Sequence, residues 1–435
     1  MKLIHGFLLA SVMLAGPADA QPSGEVLTLG RAIEIAVQQQ PSVRQTRASI
    51  EAARGRVDQA RVALHPTVTL SATAAVGSTR PTPCASDPTM TCGGFFDASA
   101  QTGLGAQASW RIYDFGQTRA TIRAASLQAD AEASNAGINV LDIRVNVETA
   151  FLEAVARGKL VRVAEATVKS EEVHLDQARK FVAAQAKDPI EVAQAQARAA
   201  NARSALAQAR SLEAIALANL RAAIGWLDAT RSPVVDPTWP TPPTEEPQPL
   251  AQLVEISRQH RAEILQLDKQ IAAAEASFEA AEYERRPTLS ATASTQWNPD
   301  SNDWSPEPSW TAGLTLSWQL FDGGRSRANQ RVARANVMSA QAQRDALLVT
   351  LTSQLDSARA QIIANGANVT ASTEAVTAAR AQLQLANARY AQGLGSQIEL
   401  ADAQTAVTTA EGNLVQAQFQ LADAWAHLRR SIGEV

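Results

Sequence analysis

The sequence predicts a mainly α-helical chain with a few amphipathic β-strands, built as a duplicated helix, strand-pair, helix unit. Three observations predict it. Two segments end in nearly the same words, GLGAQASWRIYDFG over Gly103–Gly116 and GLTLSWQLFDGG over Gly313–Gly324. Each follows an alternating segment opened by Pro-Thr, PTVTLSATA from Pro66 and PTLSATAS from Pro287. Each also precedes a very long Ala/Gln/Arg-rich stretch. Self-similarity of this kind marks a chain made of two like halves.

In chain order, residues 1–20 (MKLIHGFLLASVMLAGPADA) carry a basic Lys2, an apolar run and an Ala-Asp-Ala cleavage site, the pattern of a secretory signal peptide. No Cys follows that site, so no lipid anchor is expected there. Residues 21–225 form the first repeat: an amphipathic helical region over Leu29–Leu64, strands near 66–76 and 103–114, and a helical hairpin with its tip near 184–189. As one helix, Gln117–Ala186 would be about 100 Å long at 1.5 Å per residue. The prolines of residues 226–249 exclude continuous helix and give an extended connector. Residues 250–435 repeat the unit: Leu250–Arg285 helical, strands near 287–297 and 310–321, and a hairpin with its tip near 392–397.

The strands alternate strictly. Trp310, Ala312, Leu314, Leu316 and Trp318 share one parity, and Thr311, Gly313, Thr315 and Ser317 the other. Leu104, Ala106, Ala108 and Trp110 repeat this against Gln107, Ser109 and Arg111, as do Val68, Leu70 and Ala72 against Thr67, Thr69 and Ser71. Leu289, Ala291, Ala293 and Trp297 oppose Ser290, Thr292, Ser294 and Gln296. Each segment therefore has one apolar and one polar face. Trp310 and Trp318 bracket roughly 27 Å of strand at about 3.4 Å per residue, close to the apolar band between the aromatic girdles of an outer-membrane barrel. Trp110 and Trp297 complete the expected girdle. A half-buried soluble sheet would alternate too, but four concordant segments with paired tryptophans favour lipid.

The only cysteines, Cys84 and Cys92, sit in the Pro/Gly-rich loop between the first two strands and are expected to close a small disulfide loop. Large and small apolar residues recur every seven residues in the last two helices: Leu348, Leu355, Ile362, Val369, Val376, Leu383 and Tyr390, then Leu400, Val407, Leu414, Leu421 and Leu428 with Ala403, Ala410, Ala417 and Ala424. A sustained heptad predicts a close antiparallel coiled coil.

Other function classes find little support. The net charge of −4 argues against a nucleic-acid partner. His65, His174, His260 and His427 are isolated, and no P-loop, nucleophile elbow or metal spacing is present, so neither an enzyme nor a cofactor is expected. After the leader no apolar run approaches the roughly 18 residues of a spanning helix. Four strands cannot close a barrel, and open edges are not tolerated in lipid, so the chain must oligomerise.

The WRIYDFG and WQLFDGG joints, with RYAQGLGSQIELADAQ from Arg389, resemble the TolC-like outer membrane efflux protein family over essentially the whole mature length. The resemblance implies a homotrimer in which four strands per chain build a 12-stranded β-barrel and the long helices an α-barrel crossing the periplasm. It implies the exit duct of a tripartite efflux or type I secretion system. Its partners would be a periplasmic adaptor (membrane fusion) protein, an inner-membrane pump or ABC exporter reached through that adaptor, and outer membrane lipid. A passive pump-independent pore and a periplasmic coiled-coil scaffold are the alternatives.

The same resemblance assigns the tips. Glu399, Asp402 and Glu191 match acidic positions lining the pore entrance, and Tyr390 a tyrosine that can hold the entrance closed. The basic residue that sometimes partners this tyrosine is Gly395 here, so that clasp is expected to be missing. Gly393, Leu394 and Gly395 form one adaptor-binding tip; Asp188 and Pro189 start the helix after the other, which lacks the usual glycine. The exported substrate and the cognate pump are not written in the sequence.

Overall fold

The computed structural model describes residues 26–78, 82–84, 87–92, 98–228, 233–239, 246–297 and 308–433, with side chains left out at 77–101. The expected leader and the expected Cys84–Cys92 disulfide lie outside the described residues and side chains. The elements of the first half are β1 (Val26–Leu27), α1 (Leu29–Gln39), α2 (Pro41–Val62), β2 (Thr67–Ser78), β3 (Thr82–Cys84), β4 (Asp87–Cys92), β5 (Ala98–Tyr113), α3 (Gln117–Ala183) and α4 (Ile190–Ile224). Those that follow are β6 (Val234–Val235), α5 (Leu250–His260), α6 (Ala262–Tyr283), β7 (Thr288–Trp297), β8 (Ser309–Ser317), α7 (Arg325–Ala391) and α8 (Gln397–Ile432). The chain is mainly helical, and α3 and α7 each run for 67 residues. No described helix is long and apolar enough to cross a membrane.

Both amphipathic stretches read from sequence are broken once. Gln40 takes ψ 128 because the ring of Pro41 disfavours helix at the residue before it. Arg261 takes ψ 118 without a proline, with its side chain paired to Glu263 at 3.2 Å.

The chain divides into two compact units. One comprises Gln40–Val145, Thr244–Ala364 and Ala424–Val435. It holds a four-stranded antiparallel sheet in the order β2-β5-β7-β8. The register aligns the apolar parities: Val68, Ala108, Ala293 and Ala312 stand in one row, and Leu70, Ala106, Thr295 and Trp310 in the next. Directly paired residues point to the same side, so the sheet has one apolar face and one of Ser, Thr, Gln and Gly with Arg111. The apolar face is bare: Val68, Leu70, Trp310 and Leu314 are 69–79% exposed. β8 ends at Ser317 because its ladder partner, Thr288, is the first residue of β7.

In this unit the repeated joints have one construction. The indole N–H of Trp110 donates to the Leu64 carbonyl at 2.9 Å, and that of Trp318 to Arg285 at 3.2 Å. Each acceptor lies two residues before the proline that opens the preceding strand. Asp114 then accepts from the Gly116 and Thr118 N–H groups at 3.2 and 2.8 Å, and Asp322 from Gly324 and Ser326 at 2.9 and 2.8 Å. These carboxylates cap orphan donors at the starts of α3 and α7. The hydrogen bonds from Ser326 and Gly324 lower the Asp322 pKa to about 2.

The other unit comprises Met1–Gln39, Asn146–Pro243 and Asn365–Asp423. There β1 pairs in parallel with β6, fastening the connector, and the two hairpin turns close α3–α4 and α7–α8. Its core is the expected heptad seam: Val376, Ala379, Val407 and Ala410 cluster, followed by Ala386, Tyr390, Leu400 and Ala403. Leu175, Ala178, Ala195 and Ala199 make the matching cluster between α3 and α4.

Candidate functional site

The two hairpin turns are the same turn twice. At the end of α7, Gly393 N–H bonds to the Tyr390 carbonyl and Leu394 N–H to Arg389, with Gly393 at φ 77. At the end of α3, Gln185 N–H bonds to Val182 and Ala186 N–H to Phe181, with Gln185 at φ 56. Both are Schellman caps. The first turn lacks glycine but keeps the left-handed residue, and a non-glycine residue there is strained by roughly 1–2 kcal/mol. Gln185→Gly is therefore expected to firm this turn by about 0.5–1 kcal/mol, the unfolded-chain entropy of glycine offsetting part of the relief. Amide exchange at residues 184–190 would slow about two- to five-fold; an unchanged rate would show that Gln185 carries no strain.

The helices then restart differently. Asp188 Oδ1 accepts from the Ile190 N–H at 3.0 Å, ahead of α4. Ser396 Oγ accepts from the Glu399 N–H at 3.1 Å, ahead of α8. Ser396 was not singled out from the sequence, although it opens a Ser-x-x-Glu cap signature.

Within this unit the turns are bound to each other around Glu191. Its carboxylate accepts from the Tyr390 hydroxyl at 3.2 Å, and its backbone carbonyl from the Gln397 side-chain amide at 3.0 Å. Lys187 Nζ stands 3.6 Å from the Glu191 carboxylate, 3.5 Å from the Gly395 carbonyl and 5.7 Å from the Tyr390 ring centroid. Phe181 meets the Tyr390 ring edge-on at 5.6 Å. Tyr390 is 1% exposed, and burial, then the Glu191 charge, push its hydroxyl up to about 12. It therefore stays a donor throughout the physiological range.

Position 395, where the resemblance would place a basic partner for Tyr390, is glycine. A Cβ on Gly395 would lie 3.0 Å from the Tyr390 backbone nitrogen, so a side chain at 395 would crowd the turn and need its backbone to give by a few tenths of an ångström. A cation stands beside Tyr390 all the same, Lys187 of the opposite turn, which the sequence alone did not single out. Nor did it single out Gln397, which is 3% exposed.

The other proposed entrance residues separate. Glu399 pairs with Arg389 at 3.0 Å on its own hairpin, whereas Asp402 is exposed with no ion-pair partner among the described residues. Beside the turns, Ile190, Leu394 and Ile398 expose 58–72% of their surface, and Pro189 is exposed with them. Of the tryptophans, Trp110 and Trp310 lie within strands, Trp297 ends β7, and Trp318 follows the last residue of β8.

The model of the outer membrane efflux protein family matches residues 32–226 and 253–434. Protein CyaE of Bordetella pertussis is 29% identical over 413 residues, which cover 94% of this chain and 84% of that protein. The crystal structure of a membrane protein from Pseudomonas aeruginosa superposes with a TM-score of 0.77 at 23% identity, covering 93% of each chain. The CmeC outer membrane channel of Campylobacter jejuni also gives 0.77, at 15% identity, over 100% of this chain and 93% of that one. At these identities the two structures speak for the fold.

Proposed function

We infer function from the premise that this chain belongs to the outer membrane efflux protein family. It is an outer membrane exit duct for efflux or secretion, with helices extending into the periplasm. The observation that carries this reading is the sheet with one bare apolar face, one polar face and two unpaired edges, β2 and β8. Unpaired edge amides are too costly in lipid, so β8 of one copy pairs with β2 of the next. Three copies close twelve strands, a homotrimer whose polar faces line the lumen and whose Trp110, Trp297, Trp310 and Trp318 mark the lipid boundaries.

In this proposal the hairpin tips form the entrance, and the Tyr390–Glu191–Lys187 contact is the latch that holds it shut. Exposed Leu394, Ile398 and Ile190, with Asp188, Pro189, Gly393 and Gly395 shaping the turns, suit docking of a periplasmic adaptor that connects the duct to an inner-membrane pump. Opening is a rotation of one hairpin against the other that breaks the latch. A gated entrance favours an exporter duct over a passive pore.

Ion selectivity at the entrance falls mainly to Asp402, because Arg389 already neutralises Glu399. With the latch disrupted by Tyr390→Phe, purified protein in planar bilayers is expected to give cation-selective conductance. Asp402→Asn should weaken that selectivity more than Glu399→Gln. Equal effects would remove the distinction drawn from the Arg389 pair, and protein that never conducts, even with the latch disrupted, would sink the duct.

A further inference from the structure

Two turns before the α3 cap, a polar cluster is buried between α3, α4 and α8. His174, Glu171 and Gln404 are 7%, 6% and 5% exposed. Ser170 Oγ donates to Gln404 Oε1 at 2.8 Å, across the seam between the two hairpins. With its one proton spent there, Ser170 can only accept from His174 Nε2, 3.1 Å away. The neutral ring therefore carries its lone pair on Nδ1, which is buried and has no hydrogen-bond partner. Arg198 of α4 faces the same cluster, its Nε 3.5 Å from Glu171 Oε2.

We propose that His174 is a positioning residue of the entrance latch and makes its closure depend on pH. The proposal rests on the latch reading given above. A proton on Nδ1 would create a buried N–H with no acceptor and place an imidazolium near Arg198. The charge felt at His174 is that of Arg198 on α4, which in turn pairs with the buried Glu171 on the histidine's own helix; the α8 side supplies the neutral Gln404. Burial first, and then the Arg198 charge, lower the His174 pKa. The packed seam is therefore favoured above the ordinary histidine pKa and loses that advantage as pH falls through and below it.

Glu171 works in the opposite sense. Burial raises its carboxyl pKa against the pull of Arg198, so the packed seam takes up that proton more readily than an open one. Once neutral, however, Glu171 no longer compensates Arg198 beside the imidazolium. Arg198 also links the cluster to the latch: it lies seven residues beyond Glu191 on α4, and its charge is felt at the Tyr390 hydroxyl.

The test is the open fraction of the purified full-length channel in planar bilayers between pH 7.5 and 5.0, for wild type and His174→Gln. Glutamine can still donate to Ser170 but cannot charge. The wild-type open fraction should rise several-fold over this range, and that of His174→Gln should stay flat or fall. A flat wild-type profile, or an equal rise in His174→Gln, would overturn the proposal. Tyr390→Phe measured alongside at pH 7.5 separates the two readings. An open Tyr390→Phe channel with an unaltered His174→Gln profile rejects His174 alone; a closed one rejects the latch.

Discussion

Channels carrying Tyr390→Phe or Glu191→Gln should conduct at neutral pH without an adaptor, under conditions where the wild type stays shut. Phenylalanine keeps the ring packed against Phe181 and removes only the hydroxyl that reaches Glu191. Glutamine keeps the shape of Glu191 but leaves Lys187 without its counter-charge. A hydrogen bond to a charged group contributes about 1.5–3 kcal/mol, roughly 10- to 150-fold in the closed-to-open ratio per chain. If three chains open together the effect compounds, so a latch that holds only by this contact would be lost outright. Glu191→Gln should open more than Tyr390→Phe, since it disturbs Lys187 and Tyr390 together. Single-channel recordings at pH 7.5 decide the matter: two variants as closed as the wild type would mean that the tips are held by helix packing.

The second large effect lies in the sheet. Leu314→Arg places a cation on the apolar face, where Leu314 is 69% exposed beside Ala291. An arginine facing lipid costs about 2–4 kcal/mol at the bilayer midplane, and it recurs in every copy. Folded trimer recovered from outer membranes should fall to a small fraction of wild type. Thr315→Arg, one residue on and on the polar face, should assemble normally. Heat-modifiable mobility of membrane fractions reads both variants. Normal assembly of Leu314→Arg, or equal loss in the two, would contradict the assignment of faces.

Much of this protein was legible in one dimension because much of it is locally determined. The period-2 alternation from Trp310 to Leu316 and the heptads from Leu355 to Leu428 are short-range patterns imposed by strand and helix geometry. The Asp caps and Gly393 likewise speak for their own turns. What periodicity cannot carry is the partner. Nothing in the sequence says that β5 pairs with β7 and so joins the two halves, or that the register gathers four apolar parities onto one face.

The candidate site divides the same way. Sequence pointed to Tyr390 and Glu191 separately, by resemblance, and to no cation at 395. Tertiary structure brings these residues together across a separation of 199 positions and sets Lys187 of the opposite turn beside them, because contacts between turns depend on how the hairpins pack. It also turned His174 from an isolated histidine into a buried one with a bare ring nitrogen, since burial and charge depend on which helices pack over a residue. By itself the sequence determined the duplicated unit, the strand faces, the helix seams and the turn positions, all properties of neighbours along the chain. Only the tertiary structure decided pairing, register and the polar contacts between hairpins, because those energies belong to groups that meet only when the chain is folded.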